Sequence, residues 1–256
     1  MKLIDTHCHL DLYPPGRKNQ IIENARDNSV EKLITVGINL ESSETAIEAA
    51  KENKNVFATV GIHPQDGKMD IKVKNWRKKL EILARNDKVV AVGEAGFDSK
   101  ALLDVGFPLQ KQIFSAQVKI ARDLKLPLII HCRELYEETF EVLRQFPQVF
   151  GVLHSFCARM EEAKKALNLG FYLGLNGMIT FPNNKQLVEV VKSIPLEKII
   201  LETDSPFLTP QEVRGEKNEP KNIKYVAQKL AEIKNISVEE VCQKTTENAE
   251  KLFKLS

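Results

Sequence analysis

Eight short apolar runs, each followed by a segment of helical spacing, repeat along nearly the whole of this 256-residue chain. The runs lie at residues 2–7, 32–37, 56–61, 89–94, 127–131, 151–154, 171–175 and 198–203. Their β-branched residues and flanking glycines favour strands over pieces of buried helix. Helix-like segments fall near 18–29, 41–53, 71–86, 108–124, 134–145, 158–169, 184–193 and 221–234. Ile113, Ala116, Gln117, Ile120, Ala121 and Leu124 illustrate the spacing. A last helix is expected from Ser237 to Phe253, with Ser237 as N-cap and Glu240 as its capping-box partner. Eight β-α units in a chain of this length predict an α/β fold, a TIM-type (β/α)8 barrel in a single domain over 1–256. The rival is an open, doubly wound sheet, whose strand ends would lie along a line.

Nothing in the composition argues otherwise. No linker rich in Gly, Ser or Pro divides the chain, and the polar stretch 209–222 is long enough to be a functional loop after the eighth strand. The 37 basic and 35 acidic residues leave a net charge of +2, which is no basis for a nucleic-acid coat protein but allows a locally basic cleft. Met1-Lys2 leads into a stretch too short and polar for a signal peptide, and no apolar run nears the ~20 residues of a membrane span. A cytoplasmic protein with no membrane partner is expected. It should be a monomer, since no long exposed apolar stripe is evident. Cys8, Cys132, Cys157 and Cys242 form no CxxC pair, so free thiols are expected. The first three neighbour histidines and read either as soft metal ligands or as small packing residues beside a site.

All five histidines stand at or beside the ends of strand-like runs. His7 and His9 close the first, His63 follows the third, His131 ends the fifth and His154 follows the sixth. Residues two apart in a strand share a face, so both rings of His7-x-His9 can reach one ion. Glu94 closes the fourth run, where an unpaired carboxylate would be costly. It reads as a metal-bridging ligand, or else as a helix cap or ion-pair partner. The eighth run leads into Glu202-Thr203-Asp204-Ser205-Pro206. A lone histidine at a strand end is usually a satisfied core residue, but separate ordinary explanations for every one of these positions are improbable together.

The set suggests two divalent ions. His7, His9, Glu94 and Asp204 would hold one; Glu94, His131 and His154 would hold the other. Paired ions about 3.5–4 Å apart polarise a phosphoryl oxygen and make water acidic near neutral pH. Glu94 and Asp204 are then the catalytic carboxylates, with Asp204 both ligand and general base. Nitrogen and oxygen donors suit zinc, manganese or magnesium.

The motifs Asp5-Thr6-His7-Cys8-His9-Leu10-Asp11, Gly61-Ile62-His63-Pro64, Gly93-Glu94, His131-Cys132-Arg133, His154-Ser155-Phe156 and Leu201-Glu202-Thr203-Asp204-Ser205-Pro206 together resemble the TatD family of metal-dependent deoxyribonucleases. Arg214-Gly215 and Asn218-Glu219-Pro220 match its late loop, and the resemblance runs from residue 4 to about residue 250. The family is a TIM-barrel branch of the amidohydrolase superfamily. The resemblance implies a metal-dependent phosphodiesterase acting on DNA, an exonuclease working from the 3′ end. It implies His7, His9, Glu94, His131, His154 and Asp204 as metal ligands, and His63 and Arg133 as substrate contacts. The chain departs from the family pattern at Ala95-Gly96-Phe97-Asp98-Ser99 and at Phe156-Cys157-Ala158. Both departures spare the ligands and touch stretches expected to shape the cleft.

Arg159, Lys185, Arg214 and Lys217 read either as a backbone-binding channel or as solvated surface charge. Phe156, Phe181 and Phe207 read either as base-stacking rings or as loop packing. Asn176 and Gly177 are expected near the substrate. Trp76 lies in a basic segment, Lys72 to Lys79, that reads as part of an outer helix covering the barrel. Two further functions fit the same residues: an ester hydrolase acting on D-aminoacyl-tRNA, an activity of this family, and a binding protein without catalysis. The presence of all six expected ligands argues against the last.

Overall fold

A computed structural model describes residues 2–14 and 16–255. Its eight strands are β1 (Leu3–Cys8), β2 (Val30–Val36), β3 (Val56–Val60), β4 (Val89–Asp98), β5 (Leu128–Arg133), β6 (Gly151–Leu153), β7 (Tyr172–Leu175) and β8 (Ile199–Leu201). They pair in chain order, all in parallel. A bridge between Cys8 and Ser205 brings β1 back to the segment after β8. That seam is stitched by Thr6 Oγ1 donating to Leu201 O (2.9 Å) and Asp204 N donating to His7 O (2.8 Å). The Asp5 carboxyl group, fully buried, accepts from Thr203 N at Oδ1 (2.9 Å) and lies 2.5 Å from Thr203 Oγ1 at Oδ2. An open sheet could not join its first strand to its last, so the barrel stands and the doubly wound rival falls.

The helices are α1 (Lys18–Asp27), α2 (Leu40–Glu52), α3 (Gly67–Asp70), α4 (Trp76–Ala84), α5 (Phe107–Leu124), α6 (Tyr136–Arg144), α7 (Met160–Asn168), α8 (Lys185–Ser193), α9 (Ile223–Lys234) and α10 (Val238–Phe253). Local capping explains several starts. Asn39 accepts from Ser42 N (2.8 Å) at α2, and Ser237 accepts from Glu240 N (3.1 Å) at α10. The Glu240 carboxylate makes no reciprocal bond among the described residues. The helix expected over 71–86 is interrupted, because Asn75 adopts a left-handed backbone (φ 60) that a continuous helix excludes. Trp76 opens α4 and buries with Leu80 and Ala84, leaving Arg77, Lys78 and Lys79 in water. Among the described residues no helix is long and apolar enough to cross a membrane.

Two stretches differ from the sequence expectation in ways that matter for the site. Residues 95–98 are not a cleft loop but buried strand, extending β4 to Asp98 alongside β5. The close approach needs Gly96: at φ 155, a Cβ there would sit 1.9 Å from the His131 carbonyl oxygen. The eighth strand ends at Leu201 rather than 203, since Glu202, Thr203 and Asp204 turn toward the barrel mouth with Asp204 at φ 55.

Apolar side chains from around the barrel, among them Ile4, Ile34, Val90, Ile129, Val152 and Ile200, form one cluster with Leu252, Phe253 and Leu255 at the end of α10. The larger cluster joins the strands to the surrounding helices. Two buried glutamines of α5 clasp strand ends. Gln117 bonds Ile62 N (2.8 Å) and Ile62 O (2.9 Å), beside His63. Gln110 bonds Asp98 N (2.9 Å) and Asp98 O (3.1 Å). Each clasp satisfies a main-chain pair that could not be left bare at a buried strand end.

Candidate metal centre

The six expected ligands converge at one end of the barrel. Nε2 of His7 lies 3.2 Å from Nε2 of His9. These atoms lie 3.6 and 3.4 Å from Asp204 Oδ1, and 3.4 and 4.0 Å from Glu94 Oε2. The other Glu94 oxygen, Oε1, faces His131 Nδ1 (2.7 Å) and His154 Nε2 (3.1 Å). One carboxylate thus points its two oxygens at two groups of imidazoles. His7, His9 and Asp204 form one set whose donor atoms lie within 4.8 Å of one another; Glu94, His131 and His154 form another.

The outward nitrogens of the second set are held by further carboxylates. His131 Nε2 faces Asp98 Oδ2 at 3.1 Å, and His154 Nδ1 faces Glu202 Oε1 at 3.2 Å. A carboxylate on the outer nitrogen fixes the tautomer and ring orientation and makes the inner nitrogen a better donor. Asp98 is itself fixed by Lys100 N (2.7 Å) and Gln65 Nε2 (2.9 Å), and Glu202 Oε1 by Ser155 N (2.6 Å). By contrast, His7 Nδ1 is buried without a partner among the described residues.

Neither Asp98 nor Glu202 was singled out from the sequence as part of the site. A signal was present for both. Asp98 continues the 94, 96, 98 alternation of a strand, and Glu202 stands two residues before Asp204. Asn176 plays a related part. It is buried and donates to Ser155 Oγ (2.9 Å) and Glu202 Oε1 (3.4 Å), so its amide is committed to the site's framework. Gly177 leaves room for the chain after β8, since a Cβ there would meet Leu208 O at 2.1 Å.

Charge at the centre is shared. Burial opposes ionisation of Glu94, but His154, His63 and the bonds from His131 and His154 hold its carboxyl well below the usual range. Burial likewise opposes charge on His154, and Glu94 and Glu202 outweigh it, lifting His154 well above an ordinary imidazole. His131 is raised against its burial by Asp98 and Glu94, and His9 by Asp204 and Glu94. His7 is lowered by burial and by His154. Asp204 is held low despite burial, by His9, His154 and His7.

His63 differs from the rest. Burial takes it down to about 3, so it is neutral at physiological pH. Its Nδ1 accepts from Gln65 N (3.2 Å), which leaves the proton on Nε2, 3.6 Å from Glu94 Oε1. Arg133 is half-exposed, with Nη1 3.5 Å from Asp98 Oδ2. Both line a cavity of about 1100 Å³ that opens from the centre.

The remaining expectations divide. Arg159 and Phe207 line the cavity, while Lys185, Arg214 and Lys217 do not. Arg214 stacks on Phe181, and Lys217 lies over Tyr13 and donates to Leu12 O. Phe156 is buried against Tyr136. Cys8 is buried with Sγ on Ile34 O (3.5 Å), and Cys132 takes a bond from Thr139. No cysteine enters a candidate metal group among the described residues, so the packing reading of the thiols is the one the geometry supports.

A family model described as TatD related DNase matches residues 4–254. The metal-dependent hydrolase YabD of Bacillus subtilis is 37% identical over 262 residues, covering 99% of this chain and all of its own length. The metal-dependent hydrolase YcfH of Escherichia coli is 34% identical over 259 residues, covering 99% of this chain and 96% of its own. Among solved structures, the TatD homolog YJJV of Escherichia coli superposes with a TM-score of 0.89 at 28% identity, over 99% of this chain and 98% of that one.

Proposed function

This chain belongs to the TatD-related DNase family of metal-dependent hydrolases, and on that footing we propose that it cleaves phosphodiester bonds of DNA from the 3′ end, with two divalent ions. The observation that carries the reading is the two-sided Glu94 carboxylate, with His7 and His9 at one oxygen and His131 and His154 at the other. Imidazole nitrogens at 3.2 Å from each other, around buried carboxylates, fit a cation better than they fit a network of hydrogen bonds. The reading takes 1–256 as one hydrolase domain.

His7, His9, Glu94 and Asp204 would hold one ion and Glu94, His131 and His154 the other. Bound there, zinc, manganese or magnesium would polarise a phosphoryl oxygen and lower the pKa of water. The protein's own groups do the rest. Asp204, kept ionised at neutral pH, accepts a proton from the attacking water as the new P–O bond forms and the bond to the departing sugar oxygen breaks. The acid so formed returns that proton to the departing oxygen. His63, neutral with its proton on Nε2, donates a hydrogen bond to the phosphoryl group. The Arg133 guanidinium adds charge at the same wall.

Asp204→Asn tests the role of the carboxylate. General-base removal lowers kcat by about 10²–10⁴-fold on a single-stranded DNA oligonucleotide. The circular dichroism spectrum should be unchanged, because Asp204 lies at the mouth and not in the apolar core. Full activity in this variant would overturn the assignment.

A further inference from the structure

The cavity has two chemically distinct walls. At and beyond the ends of β4, β5 and β6 it carries Lys100, Arg133 and Arg159, interspersed with Glu134 and Glu162. Across the mouth, where the ring closes from β7 and β8 to β1, it carries Met178, Phe207 and Leu12. Five large apolar side chains are exposed among the described residues, and of these only Leu12 and Phe207 line the cavity. Phe207 is 52% exposed, with its ring centroid 6.1 Å from that of His9.

The exposure does not come from a loose loop. Phe207 N donates to Asp204 O at 2.9 Å, and Phe207 O accepts from Asn218 Nδ2 at 2.6 Å. Asn218 is wholly buried; its amide also donates to Thr203 O (3.1 Å), and its Oδ1 accepts from Glu219 N and Asn222 Nδ2, both at 3.0 Å. On either side, Asp204 (φ 55) and Leu208 (φ 50) hold left-handed backbone, which costs an L-residue about 1–2 kcal/mol each. The backbone is pinned, and two strained residues are retained, around an aromatic ring left half in water beside a ligand histidine.

We propose that Phe207 is the stacking platform for the nucleobase next to the scissile phosphodiester, with Lys100, Arg133 and Arg159 taking neighbouring phosphates on the facing wall. The inference rests on the phosphodiesterase reading above and deepens it. A flat, solvated ring suits any base, since every base has a π-face. The three cations can neutralise phosphates of the backbone, which the apolar wall leaves without a counter-charge.

The test uses full-length protein with Mn²⁺ and two DNA oligonucleotides of one sequence. One ends in ordinary nucleotides; the other carries base-free tetrahydrofuran residues at its last two 3′ positions. Wild-type protein should prefer the base-bearing end by about 5- to 150-fold in kcat/KM, the span of one base–aromatic stack. Most of that should lie in KM, the mark of a contact made equally in ground and transition states. In Phe207→Ala the preference should collapse toward one, and Phe207→Trp should keep it. A Phe207→Ala protein that retains the preference, or that loses activity equally on both substrates, would overturn the platform. Cleavage of neither substrate by the wild-type protein would instead overturn the phosphodiesterase reading itself.

Discussion

Adding one methyl group at Gly174 should disable the centre from behind. Gly174 lies in β7 with no room for a side chain: a Cβ there would stand 2.6 Å from Glu202 Oε2 and 2.9 Å from its Cδ. Non-bonded heavy atoms settle near about 3.5 Å, so the carboxylate would have to retreat by roughly 0.9 Å. It is the end of a side chain, but not a free one, since Glu202 is buried and bonded to Ser155 N at 2.6 Å and His154 Nδ1 at 3.2 Å. A displacement of that size takes the His154 contact out of hydrogen-bond range. Losing a buried bond to a charged group costs about 1.5–3 kcal/mol, and overpacking adds about 1–3. The expected loss in Gly174→Ala is therefore about 2.5–6 kcal/mol, read from urea melts of the metal-free protein. The freed His154 ring should also lower metal affinity about 10- to 100-fold, read by equilibrium dialysis against buffered Mn²⁺ or Zn²⁺. Glu202→Gln keeps the shape but removes the charge, and should share the metal defect with a smaller stability loss. Wild-type metal affinity in Gly174→Ala, with a loss below about 1 kcal/mol, would refute the idea that Glu202 holds His154.

Two predictions concern protons. His154, His131 and His9 are all raised above the ordinary imidazole value, chiefly by carboxylates working against burial, so an incoming ion must displace protons. Metal affinity should fall as the pH drops through the raised values and strengthen as it rises past them, and calorimetry in buffers of different ionisation enthalpy should register proton release; uptake independent of pH would count against these ligands. The second concerns Asp5, whose carboxyl burial pushes from 3.8 up to about 8. Between those values the fold keeps a proton that the unfolded chain has released, so stability falls as pH rises across that window, by about 1.4 kcal/mol per unit at most. Asp5→Asn should flatten the slope in chelator-treated protein, and an unchanged slope would show that Asp5 is ionised in the fold.

The barrel was legible in the sequence because each element carries its own period. Alternating β-branched runs and helical spacing survive without knowledge of contacts, and Ser237 marks its helix start chemically. The six candidate ligands were legible for a related reason: His and carboxylate side chains at the ends of apolar runs are costly unless used. The remaining features depend on contacts between residues far apart in the chain. Asp98 matters because β4 runs on beside β5 past Gly96, a register set by the packing of two backbones. Glu202 matters because Gly174, in a different strand, leaves it a cradle. The break before Trp76 came from one left-handed residue, Asn75, inside a segment whose apolar spacing read as continuous. The loop cations looked alike in sequence, yet Arg159 lines the cavity while Arg214 is turned onto Phe181.

Metal-dependent phosphodiester cleavage at the Glu94 centre can be tested directly. Metal-stripped protein should be offered a single-stranded DNA oligonucleotide, labelled at either its 5′ or its 3′ end, with Mg²⁺, Mn²⁺ or Zn²⁺ restored in turn. No cleavage is expected without metal; with it, the 5′-labelled strand should shorten stepwise, while the 3′ label appears at once as mononucleotide. Cleavage that persists in chelator, or an intact oligonucleotide when two ions are measurably bound, would contradict this assignment.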